Sequence, residues 1–194
     1  MPRLKAPQRR EQLIAVATRL FARHGYDATT TASIAEAAGV TEPILYRHFK
    51  SKQDMFVAIV RAMSAQTMQE WEELISDVGD PAERIKAVAQ AVPAHIKRLS
   101  DAYHVLHGAL STSQDKKVHG VLREHYDQIE EFFCKVVVDG HKMGVFRPDL
   151  DPKSAAWQLI LSGIGYAMIT LNLDEVERPV VDHVIESIVR GWVK

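Results

Sequence analysis

The 194-residue chain has the composition of an ordinary globular protein, with 46% hydrophobic and 25% charged residues. Its formal net charge of -1 excludes a generally basic nucleic-acid-binding protein. Its single cysteine, Cys134, excludes an intramolecular disulfide and favours a reducing cytoplasm. The charge is uneven, because residues 1–54 hold nine Lys/Arg against five Asp/Glu, whereas residues 55–194 hold fifteen against twenty. The sequence therefore predicts a basic N-terminal domain and an acidic body.

The N-terminal domain begins with a predicted flexible basic arm over residues 1–8. A helix follows, because apolar residues recur on one stripe at Leu13, Ile14, Ala17, Leu20 and Phe21. The pattern indicates a helix that buries this stripe against whatever follows it along the chain.

Two very short helices joined by a tight turn come next. Thr29 or Thr30 supplies an N-cap for the first of them, and Gly39 supplies the positive φ of the turn. Thr41 is predicted to cap the second, which reaches about Phe49. This is the spacing of a helix-turn-helix, the motif that places one helix in the DNA major groove.

The body is predicted to be wholly helical, which gives an all-α fold of about nine helices with no strand alternation. Asp101 is predicted to cap one of the helices. The longest apolar stretch, Ala155–Leu171, is interrupted by polar residues and glycines and is interpreted as a core helix that falls short of a membrane span. The later helices are expected at about 80–99, 101–110, 117–142, 153–173 and 179–193.

The N-terminal third resembles the tetracycline-repressor (TetR) family of bacterial transcriptional regulators. The resemblance extends from about Arg9 to Ile59 and rests on many short matches at fixed spacing. These matches are Leu20-Phe21, Gly25-Tyr26, Thr29-Thr30, Ile34-Ala35, Ala38-Gly39-Val40, Leu45-Tyr46, His48-Phe49 and Ser51-Lys52. The resemblance implies a DNA-binding domain over residues 1–54 and an effector-binding and dimerisation domain over residues 55–194.

By resemblance, two groups of residues contact DNA. One group holds the phosphate backbone and sets the register; it consists of Thr30, Ser33, Tyr46, His48 and Lys52. The other reads base edges from the recognition helix; it consists of Thr41, Glu42, Pro43 and Arg47. The family more often carries small residues at the positions of Pro43 and Ile44, so no operator sequence follows from the resemblance.

A symmetric homodimer is expected, because two recognition helices about one DNA turn apart bind a palindromic operator far better than one does. The last two predicted helices carry apolar faces for such an interface. Its predicted residues are Trp157, Leu161, Ile164, Val181, Val184, Ile185, Ile188 and Trp192. The alternative interpretation of these residues is the core of a monomer.

The resemblance also implies a pocket for a small apolar or aromatic effector inside the body. Aromatic and methionine residues are its candidate walls: Met63, Trp71, Tyr103, His107, Tyr126, Phe133, Tyr166 and Met168. The same residue types also form ordinary cores.

Asp101, His104 and His107 recur at metal-ligand spacing. We interpret this spacing as a coincidence, and no metal, cofactor or catalytic residue is predicted.

The sequence therefore predicts a cytoplasmic bacterial repressor that a small effector releases from its operator. One alternative is an activator, or a regulator controlled by a protein partner, with the same DNA-binding domain. The other is a helical ligand-binding protein or enzyme with a vestigial DNA-binding head.

Overall fold

A computed structural model describes residues 5–112, 115–173 and 176–194. These residues form nine helices and no strand, as the all-α prediction expects. In chain order the helices are α1 (Ala6–His24), α2 (Thr31–Ala37), α3 (Glu42–His48), α4 (Lys52–Ile75), α5 (Pro81–Arg98), α6 (Ser100–Thr112), α7 (Lys116–Lys142), α8 (Pro152–Asn172) and α9 (Arg178–Arg190).

The longer helices of the body begin at sequence signals with a clear physical cause. The Asp80 carboxylate accepts hydrogen bonds from the backbone N–H groups of Ala82 and Glu83, at 2.7 and 3.1 Å. Asp151 accepts from the N–H of Ser154 at 2.7 Å. In both helices a proline follows the capping residue, where no backbone hydrogen bond is lost.

One predicted helix start and one predicted helix cap are wrong. The first helix begins at Ala6 and carries Pro7 in its first turn, so residues 6–8 are helical and do not belong to a basic arm; residues 1–4 lie outside the described part. Helix α6 begins at Ser100, which places Asp101 inside the first turn. Asp101 therefore does not occupy the capping position that the sequence pattern predicted.

The chain divides into two compact units, and both α4 and α7 contribute residues to each. The first unit contains the chain up to Met63 together with Asp101–Arg123. The second contains Ser64–Ser100 and Glu124–Lys194. This structural division differs from a single boundary after residue 54, because the first part of α4, most of α6 and the start of α7 belong to the first unit.

The second unit encloses a core that is built on aromatic rings. Trp71 packs against the rings of Phe132 and Phe133, with centroids 5.5 Å apart in both cases. Near the C-terminus, Phe146 packs edge to face on Trp192 at 6.1 Å. Gly140 makes room for this arrangement, because a Cβ at that position would lie 2.0 Å from a ring carbon of Phe146.

Candidate functional site

Helices α2 and α3 form the predicted helix-turn-helix. Gly39 has a φ of 65°, the left-handed conformation that a tight turn needs. The N–H of Val40 then donates to the carbonyl of Ala35 at 2.9 Å and closes the turn. Ile34 and Leu45 are fully buried. The motif is therefore held by apolar packing and leaves its outer surface free for recognition.

The start of α2 is held by a reciprocal pair of hydrogen bonds. The N–H of Ser33 donates to the hydroxyl of Thr30 at 3.1 Å, and the N–H of Thr30 donates to the hydroxyl of Ser33 at 3.2 Å. This is a capping box built from two hydroxyl residues. Thr30 is also exposed. Thr30 and Ser33, both predicted to contact phosphate, therefore also stabilise the start of α2.

The start of α3 is arranged differently. Thr41 occupies the predicted N-cap position of α3, but its side chain does not make the capping hydrogen bond that the prediction implied. Its side chain is exposed, as are those of Pro43 and Arg47. His48 is half-buried at the other end of the helix. Three of the four predicted base-reading residues therefore present an exposed side chain on α3 or at its start.

The fourth predicted base reader, Glu42, belongs to a small hydrogen-bonded group that the sequence analysis did not find. The Thr31 hydroxyl donates to Glu42 Oε2 at 2.9 Å and lies 3.2 Å from the Tyr46 hydroxyl. Tyr46 is 48% exposed. The signal for this group was the spacing of Glu42 and Tyr46, which lie one helical turn apart and face α2 together.

Lys52 is anchored within the first unit. Its ammonium donates to the carbonyls of Tyr26 at 2.8 Å and Asp27 at 3.2 Å, and lies 4.4 Å from the centre of the Tyr26 ring. An ammonium has three N–H donors. These two hydrogen bonds leave one donor for a further acceptor such as a DNA phosphate.

A basic groove of about 520 Å³ lies beside the recognition helix. Its basic side chains come from α1, α3, α4 and the turn between α3 and α4. Arg10 lies 4.9 Å above the ring of Phe49. Asp54 also lines the groove, but its carboxylate accepts the backbone N–H of Lys50 at 3.1 Å. The basic lining residues are Arg10, His48, Lys50 and Arg61. Of these, only His48 was among the predicted DNA contacts.

The second unit contains an apolar cavity of about 270 Å³ between α5, α8 and α9. The hydroxyls of Ser162 and Tyr166 are the polar side-chain groups at its wall, and Ser162 already donates to the carbonyl of Gln158 at 2.8 Å. Leu161 and Val184 line the cavity and are exposed, so it reaches the surface. The apolar lining includes Ile85, Val88, Ala89, Val92, Phe133, Leu159, Ile169, Val180, Val181 and Ile185.

The predicted effector residues are dispersed rather than gathered around one cavity. Phe133 and Tyr166 line the cavity just described. Trp71 is buried in the aromatic core, and Tyr126 is partly buried against the same core, where burial raises its phenol pKa to about 12. Met168 is exposed on α8. The remaining three belong to the first unit: Met63, Tyr103 and His107.

The predicted dimer residues include a markedly exposed subset. Leu161 is 62% exposed on α8, and Val184 is 45% exposed on α9. Ile164, Val181, Ile185 and Ile188 are half-buried. Trp192 is 3% exposed and Trp157 is half-buried, and their indole N–H groups donate to Gln158 and Glu130, respectively. These two tryptophans therefore have partners inside the second unit.

Helix α8 also has the length and composition of a membrane-spanning segment, which the sequence analysis did not expect. Its mean hydropathy is 1.3 over the most apolar window, of which 28% is buried. Such helices also occur in proteins without membrane spans. The exposed apolar residues Met168, Ile169 and Leu173 extend the surface that begins at Leu161.

The described residues contain no cluster of three potential metal ligands from His, Cys, Asp and Glu. Asp101 is exposed, His104 is half-buried and His107 is buried, so the three residues do not share one environment.

Burial raises the pKa of the Cys134 thiol, which disfavours the reactive thiolate.

Comparison with known proteins agrees with this architecture. Residues 13–59 match the model for bacterial regulatory proteins of the tetR family. The HTH-type transcriptional repressor KstR2 of Rhodococcus jostii is 30% identical over 154 residues, which cover 76% of this chain and 72% of the relative. The ketosteroid transcriptional regulator KstR2 of Mycobacterium tuberculosis has the same fold, with a TM-score of 0.73, 21% identity and coverage of 98% and 97%.

A second solved structure supports the same fold. The fatty acid degradation regulator FadR of Bacillus halodurans superposes with a TM-score of 0.80 at 18% identity, covering 97% of this chain and 95% of that one. A helix-turn-helix joined to a helical body with an apolar cavity defines a DNA-binding regulatory protein. The chain belongs to the tetR family of bacterial regulatory proteins. It is a ligand-responsive, DNA-binding transcriptional regulator.

Proposed function

We propose that the protein is a homodimeric repressor that leaves a palindromic operator when an uncharged apolar effector enters the cavity between α5, α8 and α9. The observation that carries this proposal is the cavity itself, whose wall is almost wholly apolar. Residues 1–54 are the DNA-binding part and residues 55–194 the effector-binding and dimerisation part. The R. jostii relative is named a repressor, which supports the sign of regulation.

The DNA contacts follow from the exposed surface of the head. Thr41, Pro43 and Arg47 read base edges, and the Arg47 guanidinium suits the O6 and N7 acceptors of guanine. Thr30, His48 and Lys52 hold phosphates and set the register. Ser33 and Tyr46 are left out of this group, because the Ser33 hydroxyl donates to the carbonyl of Thr30 at 2.8 Å and the Tyr46 hydroxyl, 3.2 Å from that of Thr31, donates to it. The basic groove beside α3 supplies additional positive charge, with Arg10 and Lys50 as further phosphate contacts.

The effector class follows from the chemistry of the cavity. No Lys, Arg, Asp or Glu stands among its lining residues, so a charged group buried there would be unpaired. Within the described part of the chain, Ser162 donates to a backbone carbonyl, whereas the Tyr166 hydroxyl makes no hydrogen bond and can donate to a single ligand oxygen. A ketosteroid or the chain of a fatty acyl compound has this character, and the names of the two solved structures suggest both as probes.

The second copy of the chain is the proposed cover for the exposed apolar side chains of α8 and α9. Leu161, Met168, Ile169, Leu173, Val180 and Val184 are each at least 45% exposed. Apolar side chains that cluster on adjoining helices mark an interaction surface. A dimer interface accounts for the apolar character of α8 without a membrane, and we place the protein in the cytoplasm as a non-enzymatic regulator.

The first experiment is a gel shift of the purified protein with the intergenic DNA upstream of its own gene, in excess nonspecific competitor. A discrete, salt-sensitive band is expected, and binding should weaken when an uncharged probe, a ketosteroid or the methyl ester of a C16 fatty acid, is added. If no DNA from a genome-wide binding selection gives a competitor-resistant band, the repressor proposal is contradicted.

The contribution of Lys52 is tested in the same assay. Lys52→Ala should weaken binding to all DNA sequences about equally and reduce the slope of log affinity against log salt by about 0.9. Lys97→Ala on α5 removes one exposed charge away from the head and serves as the control. An unchanged slope for Lys52→Ala would show that its role ends with the carbonyls of Tyr26 and Asp27.

A further inference from the structure

We infer that Thr31 determines base specificity by positioning Glu42, so that the free carboxylate oxygen of Glu42 accepts a hydrogen bond from the amino group of a cytosine. Thr31 itself touches no base in this arrangement and acts through its neighbour. The inference rests on the proposed placement of α3 in the major groove.

The direction of the hydrogen bonds follows from the chemistry of the three side chains. A carboxylate only accepts, so the single hydroxyl hydrogen of Thr31 points to Glu42 Oε2, 2.9 Å away. The Thr31 oxygen can then only accept from the Tyr46 hydroxyl, 3.2 Å away. The order Tyr46 to Thr31 to Glu42 leaves each donor with one acceptor, and hydrogen bonds in such a chain strengthen one another.

This arrangement fixes a side chain that would otherwise rotate. Glu42 is the first residue of α3, the end of a recognition helix that contacts base edges. A free glutamate loses rotamer freedom when it binds a base, which costs free energy. In this protein the hydrogen bond from Thr31 fixes Oε2 of Glu42 before DNA binds. Oε1 is left to accept from a group outside α2 and α3.

The chemistry of the free oxygen selects the base. A carboxylate oxygen in the major groove accepts from the N4 amino group of cytosine. It is repelled by guanine, which presents two acceptors, and by thymine, which presents the O4 acceptor. Adenine presents an N7 acceptor beside its amino group, so it fits a carboxylate less well than cytosine does. One cytosine per half-site is therefore the expected recognition signal of Glu42.

Selection from a random-core DNA duplex library tests the inference with the full-length protein and the variants Thr31→Val, Thr31→Ser and Glu42→Ala. The wild type and Thr31→Ser should enrich a cytosine at one position of each half-site. Thr31→Val, which has the same shape without the hydroxyl, should lose at least about five-fold of that discrimination. Glu42→Ala should lose the preference altogether, while the other positions of the motif stay unchanged in every variant.

A further variant gives a gain of signal. Glu42→Gln keeps a carbonyl acceptor for Thr31 and turns an NH2 donor toward the base, so the preference for the cytosine amino group should be replaced by a preference for bases that present an acceptor there, such as the N7 of a purine or the O4 of thymine. Thr31→Ala replaces Thr31→Val if the latter melts earlier than the wild type in a circular-dichroism scan.

The inference is overturned if Glu42→Ala loses the cytosine while Thr31→Val, or Thr31→Ala in its place, keeps it. It is also overturned if Glu42→Ala keeps the wild-type motif. If the wild-type protein enriches no motif, the proposed placement of α3 in the major groove is contradicted, and the inference with it. If the wild type enriches a motif and the Thr31 and Glu42 variants enrich the same one, only the inference is contradicted.

Discussion

At the scale of single residues, two threonines at similar positions have different structural roles. Thr30→Ala should lower the free energy of unfolding by about 1 kcal/mol, because the Thr30 hydroxyl caps the N–H of Ser33. Thr41→Ala should change it by no more than a few tenths of a kcal/mol, because Thr41 makes no capping bond. Urea denaturation of both variants measures the difference, and equal losses would contradict it.

Buried histidines give the second residue-scale prediction. His95 is 4% exposed, lies 2.9 Å from Glu70 and 3.0 Å from Arg98, and burial lowers its pKa from the usual 6.5 despite the raising effect of Glu70. The unfolded chain therefore takes up a proton at a higher pH than the folded chain does. The stability is complete above about pH 7 and falls as the pH drops from about 6.5 toward the lowered pKa.

Burial also lowers the pKa of His107, so it contributes in the same direction. Urea denaturation between pH 7.5 and pH 5.5 should show a falling free energy of unfolding, with a shallower slope for His95→Gln. Replacement of the exposed His24 by Gln should leave the slope at its wild-type value. A His95→Gln slope as steep as that of the wild type would show that this imidazole does not cause the effect.

At the scale of elements, α8 illustrates what the sequence could predict and what it could not. Its extent was predicted to within one residue at each end, because Pro152 and the apolar run define it locally. Its exposed face was predicted only in part. The sequence placed Trp157 and Trp192 at a dimer interface, but their indole N–H groups bond within the second unit. Periodicity identifies an apolar face of a helix. It does not show whether the same chain or a second copy covers that face.

The helix-turn-helix also has features that the sequence could predict and one contact that it could not. Its turn at Gly39 and its buried Leu45 follow from local patterns. The Thr31 contact to Glu42 joins residues eleven positions apart on different helices, so it requires the three-dimensional packing of α2 on α3. The cavity likewise combines residues of α5, α8 and α9, which no spacing along the chain relates.

The exposed face of α8 leads to a prediction about the oligomeric state. Leu161→Glu should convert the dimer to a monomer without unfolding it, because Leu161 is 62% exposed and contributes little to the core of a single chain. Met143→Glu, at a residue that is 58% exposed and outside the predicted interface, is the matched control. Light scattering after size-exclusion chromatography measures the mass. A dimeric Leu161→Glu with wild-type mass would exclude this face as the interface.

At the scale of the whole molecule, the proposed function requires the cavity to couple effector binding to DNA release. Four predicted interface residues also line the cavity: Leu161, Val181, Val184 and Ile185. A ligand there contacts the same side chains that the partner copy would cover. We expect it to bind differently to two arrangements of the dimer, which is the condition for coupling. Such coupling typically corresponds to about 1–3 kcal/mol, or about 5- to 150-fold in operator Kd.

Filling the cavity should separate DNA binding from release. Ala89 lines the cavity on α5 and is not one of the predicted interface residues, so Ala89→Phe should occupy ligand space while leaving dimerisation and operator affinity unchanged. Ala94→Phe places the same ring at an exposed position of α5 and controls for the substitution. In the gel shift, the effector concentration for half-release should rise at least about ten-fold for Ala89→Phe and stay at the wild-type value for Ala94→Phe. Equal release of both variants would place the effector elsewhere, since a phenyl ring and a ligand cannot share about 270 Å³ without displacing one another.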